Sequence, residues 1–128
     1  MSFDIINPDP PGRPRGWNNG MLAPAGGRVL FVAGQTAPGA GGLVAQWAAA
    51  LSQVLAVVTA AGGGPTDIGR MTVYVTSKAD YVANREALGV VHRKAMGKHF
   101  PAMSLVEVSA LVDREAVVEI EATAVIPR

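Results

Sequence analysis

The stretch DIGRMTVYVTSKADY, Asp67 to Tyr81, changes its hydrophobic period part-way along. Met71, Val73 and Val75 alternate with Arg70, Thr72 and Tyr74, which predicts a strand with one apolar face over Asp67 to Thr76. Ser77 then stands three residues before Asp80, a loose capping box that opens a helix. That helix is expected to run to about Met96, with Tyr81, Leu88, Val91 and Ala95 as its apolar stripe. Asn84 falls within the stripe, where an amide needs a polar partner. A strand feeding directly into a helix points to a mixed architecture.

Working outward, RVLFVAGQ (Arg28 to Gln35) is the clearest strand, apolar on both faces. GMLAP before it predicts a short edge strand. Between the strands, Leu43 to Ala61 is expected to be helical. Trp47, Leu51, Val54, Leu55 and Val58 fall at i, i+4, i+7, i+8 and i+11, one continuous stripe. Gly62, Gly63, Gly64 and Pro65 stop it. Two closing strands are expected at Ala102 to Leu111 and Ala116 to Ile126, joined by the polar turn Val112 to Glu115. NPDPPGRPRG (Asn7 to Gly16) holds four prolines, so it predicts an extended strap.

The order β-β-α-β-α-β-β is an α+β pattern, a mixed sheet with both helices on one face. Residues 1–128 are expected to form one domain, with 1–19 as the strap. The helix-covered face is expected to collect Met71, Val73, Val75, Val106, Val108, Val118, Ile120 and Ala122. The other face is expected to collect Thr72, Tyr74, Met103, Leu105, Glu107, Glu119, Glu121 and Thr123. The latter is too apolar for open solvent and too acidic for a dry core, which points to oligomerisation with wet clefts.

The chain has 128 residues, a net charge of +1 and 49% hydrophobic residues. This balance gives no electrostatic reason to expect nucleic acid or an anionic membrane as partner. There is no cysteine, hence no disulfide and no thiolate nucleophile. No run of about 18 apolar residues is expected to span a membrane, and the proline-rich start lacks a signal-peptide core. A cytoplasmic protein is expected.

GAGGLV (Gly39 to Val44) follows a strand and precedes a helix, but Val44 stands where a dinucleotide loop needs its third glycine. A flexible turn is the better account. No phosphate loop and no Gly-x-Ser-x-Gly elbow occur. On one helix His92 and His99 would lie roughly 10 Å apart at about 1.5 Å per residue. That is too far to share a metal ion, so both are expected to be solvated and no metal is expected. Arg93, Lys94 and Lys98 suit the negative end of a helix dipole. Glu119 and Glu121 point the same way, with Glu107 expected beside them. Converging carboxylates can act as general acid or base. They can equally pair with arginines across an interface.

Taken together, VLFVAGQ, the helix ending AAGGG, DIGRMTVYVTSKADY, FPAMSLVEV (Phe100 to Val108) and VVEIEATAV (Val117 to Val125) resemble the RidA/YjgF family. The resemblance covers about Arg28 to Val125. It implies a chorismate-mutase-like α+β fold, a homotrimer, and small-molecule ligands in clefts between subunits. It further implies hydrolysis of reactive enamines and imines, such as 2-aminoacrylate and 2-iminobutyrate, with no metal or organic cofactor. Carried over, Glu119 matches the glutamate that positions water. Ala33, Gly34 and Gln35 match the backbone segment lining the pocket. Asn84 matches a helical asparagine. Trp17 stands where a tyrosine is usual, and Leu105 joins Met103 among the expected binding residues.

Met103 stands where the family has the arginine that grips the substrate carboxylate. Methionine cannot form that bidentate, charge-assisted pair. Such a loss costs about 1.5–3 kcal/mol, roughly ten- to hundredfold in binding. The resemblance therefore implies a divergent member. One reading is an imine or enamine hydrolase of altered specificity, with Arg15 or a neighbouring subunit's arginine as substitute cation. The alternative is a non-catalytic small-molecule-binding protein on the same scaffold. Ribonuclease activity, ascribed to some members, fits poorly with near-neutral charge and no basic aromatic groove.

Overall fold

The computed structural model describes residues 2–128. Its chain order is β1 (Asp4–Ile6), β2 (Gly20–Leu22), β3 (Arg28–Gln35), α1 (Leu43–Ala60), β4 (Ile68–Val75), α2 (Lys78–Ala83), α3 (Arg85–Met96), β5 (Ala102–Glu107) and β6 (Val118–Ile126). Strands β3 to β6 form one sheet in the order β3-β6-β4-β5, with β4 and β5 parallel and the other pairs antiparallel. A parallel pair needs a long crossover, and α2 with α3 supplies it. The α+β mixed sheet agrees with the sequence reading, with two differences. β1 pairs with β2 outside the main sheet, and the expected second helix divides at Asn84 (φ −113°, ψ 14°) into α2 and α3. Asn84 donates to the Asp80 carbonyl at 2.8 Å and to its carboxylate at 3.0 Å, so its amide finds partners at an exposed joint rather than in a stripe.

Central β6 alternates without a fault. Val118, Ile120, Ala122, Ala124 and Ile126 are buried, while Glu119, Glu121, Thr123 and Val125 are half-buried on the opposite face. Against the buried face lie Met71, Val73 and Val75 of β4, then Leu51, Val54 and Val58 of α1, and Leu88 and Met96 of α3. Both helical layers thus cover one face. α1 carries no charged residue and is long and apolar enough, by length and composition, to cross a membrane. This corrects the expectation that no such run exists. Its apolar stripe is spent on the sheet, with Ala50, Leu51, Val54 and Val58 fully buried.

The face assignment of β5 is corrected. In the parallel register Met103 lies beside Met71, Leu105 beside Val73 and Glu107 beside Val75. Met103 and Leu105 therefore pack toward the helices against the core. Val106, expected in the core, is exposed on the open face with Tyr74, and Val108 lies past the end of β5. β5 is apolar on both faces, so alternation alone does not say which side turns inward.

Candidate functional site

Because β5 turns this way, the residues singled out in the sequence fall into two groups on opposite faces of the sheet. The first group lies on the helix side at the β5 edge. Trp17, Met103 and Leu105 line a cleft of about 270 Å³ together with Arg15, Gly16 and Tyr81. The strap is held against β5 by Asn18, only 3% exposed. The Asn18 side chain donates to the Phe100 carbonyl at 2.6 Å and accepts from the Asn7 amide at 2.8 Å. Its backbone N–H donates to the Pro101 carbonyl at 3.2 Å. Gly16, with φ +86°, takes a left-handed conformation that side chains disfavour, and so turns the strap between Arg15 and Trp17. Tyr81 is backed by Trp47, their rings stacked at 6.0 Å, while Arg85 lies 5.6 Å over the Tyr81 ring.

The second group lies on the open face. β3 bulges between Val32 and Gln35, and bulges commonly re-aim side chains. Gly34 sits in that bulge against Glu119. A Cβ on Gly34 would stand 2.7 Å from the Glu119 carboxyl carbon, so glycine here gives the carboxylate its place. Gln35 donates to the Ala33 carbonyl at 3.0 Å, closing the bulge on itself. Beside Glu119 in register is Tyr74, whose hydroxyl donates to Glu121 at 2.6 Å. That bond to a carboxylate raises the Tyr74 pKa above its ordinary value, helped by desolvation and by the charges of Glu121 and Glu119, against the lowering effect of Arg70. A smaller cleft of about 150 Å³ follows, lined by Arg70, Thr72, Glu121, Ala122 and Thr123.

Three expectations change. Glu107 does not join Glu119 and Glu121. It faces the helix side and accepts the Lys78 N–H at the start of α2 at 2.7 Å, complementing the Ser77 cap, which accepts the Asp80 N–H at 3.1 Å. Asn84 lines neither cleft. The histidines are half-buried and bonded within the protein rather than freely solvated. His92 stacks on Phe100 at 4.9 Å, and its Nε2 donates to the His99 carbonyl at 2.9 Å. His99 Nε2 donates to the Ile68 carbonyl at 2.7 Å. A carbonyl only accepts, so each Nε2 carries the proton. Burial holds the His92 pKa below its ordinary 6.5.

Tyr81 as a cleft wall and Asn18 as the strap's anchor escaped the sequence reading. Tyr81 sits at a stripe position and gives no other signal. Asn18 contacts a residue 82 positions away. Among the described residues no three His, Asp or Glu side chains are grouped to hold a metal ion.

A sheet with these clefts, the β3 bulge and the Glu-Ile-Glu-Ala strand define a class, and comparison with known proteins agrees. The family model described as Endoribonuclease L-PSP matches residues 15–126, and the chain belongs to this family, that of RidA and YjgF. Among solved structures, YyfB of Yersinia pestis, of the conserved Rid protein family, is 31% identical over 98% of this chain and 100% of its own, with a TM-score of 0.84. Rv2704 of Mycobacterium tuberculosis, of the YjgF/YER057c/UK114 family, is 33% identical over 88% of each chain, with a TM-score of 0.66. Escherichia coli TdcF, solved with bound serine, is 27% identical over 98% of this chain and 94% of its own, with a TM-score of 0.65. No curated protein matches the chain.

Proposed function

We propose that this chain forms a homotrimer and binds a small molecule in clefts between subunits, where it hydrolyses a reactive imine or enamine of non-standard specificity. One observation carries the reading. Trp17, Met103 and Leu105 lie on one face of the sheet and Glu119 with Gly34 on the other. A single ligand can meet both groups only where one subunit's open face covers another's β5 edge. The open face also presents Phe31, 80% exposed, with Val29 and Val106, and an apolar patch of this kind favours burial against a partner. Serine bound to TdcF supports a small polar ligand.

In this reading Glu119 accepts a proton from water as its oxygen attacks the imine carbon. Glu119 returns that proton to the nitrogen to give a neutral carbinolamine, whose hydroxyl then passes its own proton by way of Glu119 to the nitrogen as the C–N bond breaks and the carbonyl forms. Water and imine become carbonyl compound and ammonia. In the same reading, backbone N–H groups of the Ala33 to Gln35 segment stabilise the developing charge. No metal or organic cofactor takes part, and the setting is the cytoplasm. Met103 offers apolar, adaptable surface where relatives have a cation, so small imino acids bind weakly.

The test is ammonia release from 2-iminobutyrate generated in situ. Wild type is expected to be weak, and Met103→Arg to gain at least tenfold in kcat/KM, the value of one charged hydrogen bond. Glu119→Gln on top of it should abolish the gain. Strong wild-type turnover would overturn the role given to Met103. A second reading, a non-catalytic binding protein, is favoured by the loss of both the arginine and the hydroxyl at position 17. Failure of both wild type and Met103→Arg to turn over, with ligand binding retained, would select it.

A further inference from the structure

We infer that Tyr81 is a catalytic residue of the reaction proposed above: its hydroxyl donates a hydrogen bond to the substrate nitrogen and stabilises the charge that gathers there as water adds. The inference rests on the reading of this cleft as an imine-hydrolysing site. It adds to that reading a donor from the subunit that contributes the β5 edge, where Glu119 comes from the neighbouring copy.

The chain has two tyrosines, and their hydroxyls are used differently. That of Tyr74 is committed to Glu121 at 2.6 Å. That of Tyr81 has no hydrogen-bond partner among the described residues of its own subunit, where no buried polar side-chain atom goes unpaired. It is therefore an open donor at the wall of the cleft, beside Met103 and Leu105, which offer no donor of comparable strength. Arg15 and Trp17 also carry donors, but both are exposed on the strap. Tyr81 is half-buried and rigidly held.

That rigidity is built into the fold. Glu107 of β5, two residues beyond Leu105, accepts the Lys78 N–H at 2.7 Å, and Ser77 caps the same turn through the Asp80 N–H at 3.1 Å. The Tyr81 N–H donates to the Ser77 carbonyl at 3.1 Å. α2 is thus tied to the strand that makes the cleft floor. The ring itself stacks on buried Trp47, with centroids 6.0 Å apart and planes 18° from parallel, and the Arg85 guanidinium lies 5.6 Å from its centroid. A hydroxyl held in this way needs little reorganisation to meet charge as it forms.

The chemistry supplies the charge. As water oxygen attacks a neutral imine and Glu119 takes the proton, the C=N π pair becomes a lone pair on nitrogen. That atom is negative until Glu119 returns the proton. Nitrogen is a weak acceptor in the imine and a strong one in the transition state, so a donor placed there acts on kcat rather than on substrate binding. The Tyr81 hydroxyl keeps its own proton throughout, and Glu119 carries the one that moves.

The test is steady-state ammonia release from 2-iminobutyrate by wild type and by Met103→Arg, each with and without Tyr81→Phe. Phenylalanine keeps the ring against Trp47 and Arg85, so the denaturation midpoint should not move. In the background that turns over, kcat should fall about ten- to hundredfold, as expected for one hydrogen bond to a charged atom, with KM unchanged. Tyr81→Leu, which removes the ring as well, should also raise KM. An unchanged kcat in Tyr81→Phe, or a loss confined to KM, would overturn the inference and leave the hydrolase reading standing. Absence of turnover in both wild type and Met103→Arg would overturn the two together.

Discussion

At the scale of single residues, polar side chains in this protein are explained by the partner they meet. Alternation groups Glu107 with Glu119 and Glu121, yet its carboxylate accepts the Lys78 N–H at the start of α2. His92, expected in solvent, is half-enclosed against Phe100 and tied to the His99 carbonyl. Burial lowers its pKa, so the folded state prefers the neutral ring more than the unfolded chain does. Folding stability should therefore be unaffected by this group above about pH 6.5 and fall as pH drops below it, because the unfolded chain then binds the proton first. Urea midpoints measured from pH 7.5 to 5.5 should decline, and His92→Gln should flatten the decline. An equal slope in the variant would show that other groups govern it.

At the scale of elements, local patterns served well wherever an element carried its own signal. The change of period from Met71–Val75 to the Ser77 cap is present in the structure, and the α1 stripe is buried at Trp47, Leu51, Val54 and Val58 with Leu55 partly so. The strap had no such signal. Its prolines predicted extension, whereas its docking depends on Asn18, which looks like any loop asparagine. Removing that buried amide leaves the Phe100 carbonyl short of a partner and costs about 1–3 kcal/mol. Asn18→Ala should lower the denaturation midpoint accordingly, and hydrogen exchange should rise along residues 7–19 rather than in the sheet. Exchange spreading equally into β4 and β6 would mean that the strap is not a separable unit.

At the scale of the whole molecule, the sheet has a closed and an open side. α1 and α3 seal the first. The second carries a polar centre of Arg70, Tyr74, Glu119 and Glu121, flanked by Phe31 and Val29 on β3 and Val106 on β5. The proposed trimer covers this side. Phe31→Asp would bury a charge against the neighbouring copy, a cost of several kcal/mol if unpaired. Sedimentation should find wild type as a trimer and Phe31→Asp shifted to monomer, with an unchanged helical spectrum because Phe31 makes no part of the core. A wild-type monomer would sink both the trimer and the shared cleft.

Periodicity and capping are local, acting over three to eleven residues, so the sequence by itself determined the main helices and strands, the α+β class and the family. It also marked Glu119, Gly34, Trp17 and Met103 as residues of interest. Only the tertiary structure decided which side of the sheet each occupies. The side taken by an edge strand that is apolar on both faces is set by its hydrogen-bonding neighbour, here β4 in parallel register. The cleft that gathers Arg15 and Tyr81 around Met103 likewise depends on a bond between Asn18 and Phe100, and no local pattern encodes a contact across 82 positions.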